Sequence, residues 1–126
     1  MSSSTKKNIP VLVVEDEPLL RMDLVDNLED AGFIVFDAAN AQAAIDILVE
    51  HGEIRLVMTD VDMPGGMDGI RLAAYVRDKW PPLKIIVVSG YRQVSMDELP
   101  SESRFFSKPY DPRRLIRSMH EMLAAA

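Results

Sequence analysis

Five short strand-like runs alternate along the chain with segments whose apolar residues fall at helical spacing. The runs are Ile9-Pro10-Val11-Leu12-Val13-Val14, Phe33-Ile34-Val35-Phe36, Leu56-Val57-Met58-Thr59, Leu83 through Val88, and Arg104-Phe105-Phe106-Ser107. Most are continuously apolar rather than alternating, as expected of strands buried on both faces. Strand and helix in regular alternation predict a parallel sheet with helices on both faces and right-handed crossovers. At 126 residues there is room for one such α/β domain and no second folding unit.

The punctuation agrees. Glu17-Pro18 opens a first helix with proline at its first position, Leu20, Leu24, Leu28 and Ala31 form its apolar face, and Gly32 ends it. Asn40 caps a second helix through Ile45, Ile47 and Leu48, which stops at Gly52. Asp68 caps a third from about Gly69, with Ile70, Leu72, Ala73 and Val76 inward, and Trp80-Pro81-Pro82 terminates it. The segment from Arg92 to Leu99 reads as a weak, short helix before Pro100. Asp111-Pro112 opens the last one, with Leu115, Ile116, Met119 and Leu123 on its buried face.

Composition removes several chemistries. The chain has no cysteine, which excludes disulfides, thiol catalysis and Cys-based zinc sites. His51 and His120 stand far apart and read as surface residues. A net charge of −6 disfavours direct binding to nucleic acid or anionic membrane. The polar start, Met1 to Asn8, has no signal-peptide core, and no run is long enough to cross a membrane, so a cytoplasmic protein is expected. The methionines, Met58, Met63, Met119 and Met122 among them, read as core and loop filler.

Chemistry gathers where the strands end. The first run ends in Glu15-Asp16, the third in Asp60, the fourth in Ser89 and the fifth in Lys108. In a parallel sheet these ends share one edge, at strand spacings of roughly 4.8 Å. Each has a bland explanation: Asp60 can merely end a strand, Glu15 and Asp16 can favour a helix N-terminus, Ser89-Gly90 can be a turn, and Lys108 a solvated loop residue. Together they are complementary in one reaction. Clustered carboxylates need a cation, and oxygen-only ligands suit Mg²⁺. A carboxylate can also be the nucleophile in phosphoryl transfer, its product oxygens met by a metal, a lysine and a hydroxyl.

The motifs Val13-Val14-Glu15-Asp16-Glu17-Pro18, Asp60-Val61-Asp62-Met63-Pro64 with Asp68-Gly69, Val88-Ser89-Gly90 and Ser107-Lys108-Pro109 resemble the receiver domain of two-component response regulators. The resemblance covers about Ile9 to Leu123. It implies a flavodoxin-like doubly wound sheet of order 2-1-3-4-5, with a receiver domain over 9–124 behind a flexible tail of residues 1–8. By the same resemblance Asp60 accepts a phosphoryl group from a phosphohistidine on a sensor histidine kinase or a histidine phosphotransfer protein. Mg²⁺ would be held by Glu15 or Asp16, Asp60 and the backbone carbonyl of Asp62. Ser89 would move to the phosphoryl oxygen, Lys108 would pair with it, and Lys108-Pro109 is a candidate cis bond.

The chain departs from the family pattern in three places. Gly65-Gly66 adds a residue to the loop after Pro64, and the 19 positions from Ser89 to Lys108 are fewer than usual, so the fourth helix should be short or irregular. That puts in question a family face used for homodimers and partner docking. The aromatic switch position is Phe105, which can swing inward but offers no hydroxyl. Asp62 and Tyr91 flank the phosphoryl position and are expected to tune its lifetime, Tyr91 by shielding it from water.

The leading expectation is therefore a binding switch. Phosphorylation biases a two-state equilibrium and alters the surface offered to a downstream protein, or the phosphoryl group is relayed. With Ala124-Ala125-Ala126 at the end, no output domain is expected within the chain, and no enzymatic turnover beyond its own phosphoryl transfer and slow dephosphorylation. Two alternatives are an aspartate-nucleophile phosphatase of the haloacid dehalogenase type, suggested by Asp60-Val61-Asp62, and a phosphate-independent receiver scaffold.

Overall fold

The computed structural model describes residues 8–63, 67–90 and 96–124. Five strands, β1 (Pro10–Val14), β2 (Ile34–Ala38), β3 (Leu56–Asp60), β4 (Lys84–Ser89) and β5 (Ser103–Ser107), form one parallel sheet in the order β2-β1-β3-β4-β5. The helices among the described residues are α1 (Pro18–Asp30), α2 (Ala41–Glu50), α3 (Gly69–Lys79) and α4 (Pro112–Ala124). This is the flavodoxin-like doubly wound arrangement. The chain reverses its direction of winding between β1 and β3, so their carboxyl ends flank the crevice where such sheets bind ligands.

Strand alternation sorts the core into two layers. Leu12, Val14, Val57, Ile85 and Val87 face α2 and α3, and meet Ala44, Leu48, Leu72, Ala73 and Val76. Val11, Val13, Leu56, Met58, Ile86 and Val88 face the other way, against Leu24 and Leu28 of α1 and Leu115, Met119 and Leu123 of α4. Central β3 is buried at every residue, whereas β2, at an edge, is buried only at Ala38. Phe33, read from sequence as the start of that strand, lies just before it with its ring in the core.

The helix ends follow their sequence signals. Asn40 Oδ1 accepts from the Ala43 amide at 2.8 Å and Asp68 Oδ1 from the Arg71 amide at 2.9 Å. Gly32, past the end of α1, adopts φ 99°, a left-handed conformation that costs glycine little. In α2 the sheet is met by Ala41, Ala44 and Leu48, while the expected Ile45 and Ile47 are half-buried. Small residues let the helix approach the sheet closely. The two histidines pack on aromatic rings, His51 on Phe36 and His120 on Phe33.

The weak helix expected over Arg92 to Leu99 falls in part outside the described residues. Its described part is a single 3₁₀ turn, Met96–Glu98, and residues 91–95 lie outside the described residues. Arg77, near the end of α3, donates to the carbonyls of Ser101 at 3.0 Å and Leu83 at 2.7 Å, tying this segment to the start of β4. Of the expected tail, residues 1–7 lie outside the described residues, while the Asn8 amide donates to the Gly32 carbonyl.

One expected core residue is out of place. Leu20, read as part of the buried face of α1, is 51% exposed, and its neighbour Leu19 75%. Leu20 lines an open groove together with Leu24, Lys108 and Tyr110 instead of being closed into the core. Leu28→Ala should therefore cost about 2–5 kcal/mol in urea unfolding, and Leu20→Ala less than about 1 kcal/mol. Equal losses would contradict this placement of α1.

Candidate functional site

The register of the sheet builds the site. Val14 pairs with Thr59 across β1 and β3, so the next residues, Glu15 and Asp60, emerge side by side. Asp60 pairs with Val88, which places Ser89 one step beyond, and Ser89 pairs with Ser107, so Lys108 follows at the same edge. Lys108 is held there by its amide, which donates to the Ser89 carbonyl at 2.9 Å, and the Lys108-Pro109 bond is cis.

Asp60 and Glu15 are buried, at 6% and 7% exposure, an expensive state for carboxylates without partners. Lys108 supplies one. Its Nζ lies 2.5 Å from Asp60 Oδ2 and 3.4 Å from Glu15 Oε1. The second oxygen of Asp60 accepts the Asp62 amide at 3.0 Å, and Glu15 Oε2 accepts the Glu17 amide at 3.0 Å. Carboxylate oxygens of Glu15, Asp16 and Asp60 all come within 4.8 Å of one another. A set of hard oxygen donors this close fits Mg²⁺, and three acids against one lysine leave net negative charge to attract it.

Electrostatics record the crowding. Burial pushes the Glu15 carboxyl up to about 7, with the Asp60 charge adding to the effect and the Glu17 amide and Lys108 opposing it. Burial works against the Lys108 charge, but bonding and attraction to Asp60, then Glu15, outweigh it and raise its pKa. Burial likewise raises the Tyr110 phenol.

Ser89 stands at the expected strand end, 2% exposed. Its hydroxyl donates to Asp62 Oδ2, on the acid two residues past Asp60, at 3.4 Å. Phe105 is half-buried and packs against the layer that faces α2 and α3, paired in register with Val87. Tyr91 and the Pro64-Gly65-Gly66 loop lie outside the described residues.

Two contributors escaped the sequence reading. Gly69 starts α3 directly against β3: a Cβ there would overlap the Asp60 carbonyl oxygen and lie 2.7 Å from its carbon and 2.8 Å from Val61 Cα. Only glycine lets the helix begin this close, with its amide on the Val61 carbonyl at 2.9 Å. The clue was glycine in a helical position where alanine would be better. The other is Arg21, whose Nη1 donates to the Glu15 carbonyl at 2.8 Å. On sequence it is an ordinary polar residue of an amphipathic helix.

The raised Glu15 pKa carries a stability consequence for the metal-free protein. The folded state binds more protons than the unfolded chain between the ordinary value of 4.5 and about 7. This contribution is fully present below pH 4.5 and lost as pH rises through 7. Thermal scans without divalent ions should show Glu15→Gln removing a decline, on the order of a few kcal/mol, across that window. An identical pH profile in the variant would contradict the assignment.

Comparison with known proteins agrees with the geometry. The family model described as "Response regulator receiver domain" matches residues 11–120. The chain is 35% identical over 119 residues to the response regulator receiver protein CpdR of Brucella abortus (strain 2308), covering 92% of this chain and 98% of that protein. It is 38% identical over 117 residues to the sensor kinase CckA of the same organism, covering 90% of this chain but only 12% of the kinase. Among solved structures, a response regulator receiver protein from Sinorhizobium medicae WSM419 has a TM-score of 0.86 at 28% identity, over 94% of this chain and 96% of that one. With sequence and fold agreeing over nearly its whole length, this chain belongs to the receiver domains of two-component response regulators, a family that accepts phosphoryl groups.

Proposed function

We propose that Asp60 is the phosphoacceptor and that residues 9–124 are the receiver unit which responds to it. The observation that carries this reading is the pairing of Asp60: one oxygen on Lys108 at 2.5 Å, the other on the Asp62 amide at 3.0 Å, beside Glu15 and Asp16. A buried carboxylate so oriented at the strand-end edge is poised as a nucleophile. In the transfer, an Asp60 oxygen forms a bond to phosphorus as the bond between phosphorus and the donor imidazole breaks. The electron pair leaves with the imidazole, and an acyl phosphate remains on Asp60.

The other residues handle charge. Lys108 can turn from the Asp60 carboxylate to a phosphoryl oxygen, and Ser89 can leave Asp62 to donate to another. Glu15, Asp16, Asp60 and the Asp62 backbone carbonyl would hold Mg²⁺. Bound there, the ion would screen the like charges of acceptor and phosphoryl group. Movement of Ser89 and Lys108, at the ends of β4 and β5, would reach Phe105 and alter the surface offered to a downstream protein. The tuning roles of Asp62 and Tyr91 complete the reading, that of Tyr91 resting on sequence alone.

The donor is proposed to be a protein carrying phosphohistidine, either a sensor kinase or a phosphotransfer protein. A groove of about 580 Å³ opens beside the acceptor, lined by Leu20, Leu24, Lys108, Pro109, Tyr110 and Pro112. With exposed Leu19 it gives an apolar approach to Asp60. Family membership stands against the phosphatase reading, and no contact of the site favours it.

The test is incubation with a small phosphodonor and Mg²⁺, followed by intact mass and amide shift perturbation. Wild type should gain one phosphoryl group and Asp60→Asn none. No gain on wild type would sink the switch mechanism. Leu20→Ser should react normally with the small donor but slowly with a phosphohistidine protein. Equal slowing with both would remove the groove from the account.

A further inference from the structure

The turn between β1 and α1 carries two of the three clustered acids, Glu15 and Asp16. Beside the contact of the Glu15 carboxylate with Lys108, the backbone of Glu15 ties this turn to β2. The Glu15 amide donates to the Ala38 carbonyl at the end of β2, at 3.0 Å. The Glu15 carbonyl accepts from Arg21 Nη1 at 2.8 Å, and Arg21 Nε donates to Asp37 Oδ2 at 3.0 Å. Asp37 is also on β2, next to Ala38. The backbone of Glu15 is thus gripped on both sides by the same edge strand, directly through Ala38 and indirectly through the Arg21 guanidinium.

We propose that Arg21 is a positioning residue of the acceptor site, which sets the presentation of Glu15 and Asp16 toward Asp60 and toward Mg²⁺. The inference rests on the reading of these acids as the metal-holding part of that site. Its geometric basis is the planar fork. Nε and Nη1 address two acceptors at a fixed angle, a carboxylate on β2 and a carbonyl of the turn, which a lysine ammonium cannot reproduce. The Arg21 side chain is only 20% exposed, against 47% for Asp37, so the bridge is partly withdrawn from solvent. An exposed ion pair alone would contribute little. The carbonyl contact makes Arg21 matter, because it converts the ion pair into a brace on the metal-bearing turn. Partners behind metal ligands typically govern 10–100-fold of metal affinity.

The experiment is a Mg²⁺ titration of the full chain, read by calorimetry and by the amide shifts of Glu15, Asp16 and Asp60. It compares wild type, Arg21→Lys, Arg21→Ala and Asp37→Asn, with melting temperatures alongside. Arg21→Ala and Arg21→Lys should each weaken Mg²⁺ binding by about 10-fold or more. Asp37→Asn should weaken it less, and all three should melt cooperatively. At saturating Mg²⁺, phosphorylation by a small donor should recover toward the wild-type rate, separating a positioning defect from lost chemistry. Unchanged Mg²⁺ affinity in Arg21→Ala would overturn the proposal, as would wild-type affinity in Arg21→Lys, which would make charge and not the fork decisive. Should Arg21→Ala fail to fold, Arg21→Lys and Asp37→Asn decide the question. If wild type itself shows no Mg²⁺ response at Glu15, Asp16 and Asp60, the reading of the acids falls and Arg21 with it. A normal wild-type response beside unaffected variants removes Arg21 alone.

Discussion

The ion pair between Lys108 and Asp60, shared with Glu15, is the contact on which the site depends. Two buried carboxylates on adjacent strands repel each other and are stripped of water, and a lone buried acid would protonate or unfold its surroundings. Lys108 resolves this by reaching across from the end of β5, over β4, to β3 and β1. The cation that makes the metal-free site tolerable therefore comes from the far side of the sheet. Any change in charge at Asp60 is felt at once by β5. A local chemical event thereby acquires a mechanical connection, through one side chain, to the edge of the domain.

The surrounding structure keeps that pair in register. Parallel strands of matched length deliver Glu15, Asp60, Ser89 and Lys108 to one edge with no long loops to position them. Gly69 lets α3 begin against the backbone of Asp60, which fixes that strand end from behind. Arg21 braces the opposite side, between the acidic turn and β2. Above the site, the exposed leucines of α1 and the prolines flanking Tyr110 leave an apolar groove. One edge thus combines charged groups with a partly apolar rim.

What was legible in the chain divides along physical lines. Strand order and the strand-end residues could be read because an apolar run that breaks into a polar residue marks both the burial of the strand and its end. Asp60, Ser89 and Lys108 stand out this way, and the short interval before Lys108 agrees with the single 3₁₀ turn, Met96–Glu98, described ahead of β5. Periodicity failed at the first turn of α1. It assigns Leu20 to the same face as Leu24 and Leu28, but cannot say that the first turn of α1 borders an open groove. Arg21 was hidden for a related reason: the partner that ties it to the site is a backbone carbonyl, which leaves no mark in sequence. In α2, period alone favoured the isoleucines over the alanines that meet the sheet.

The central claim, that the phosphoryl group is carried by Asp60, is most directly tested by chemical trapping. Borohydride reduction of the phosphorylated chain converts an aspartyl phosphate to homoserine, and peptide mass mapping locates it. The account predicts homoserine at position 60 and unmodified aspartate at 62. Homoserine at 62, or a phosphorylated chain that yields none at 60, would contradict it.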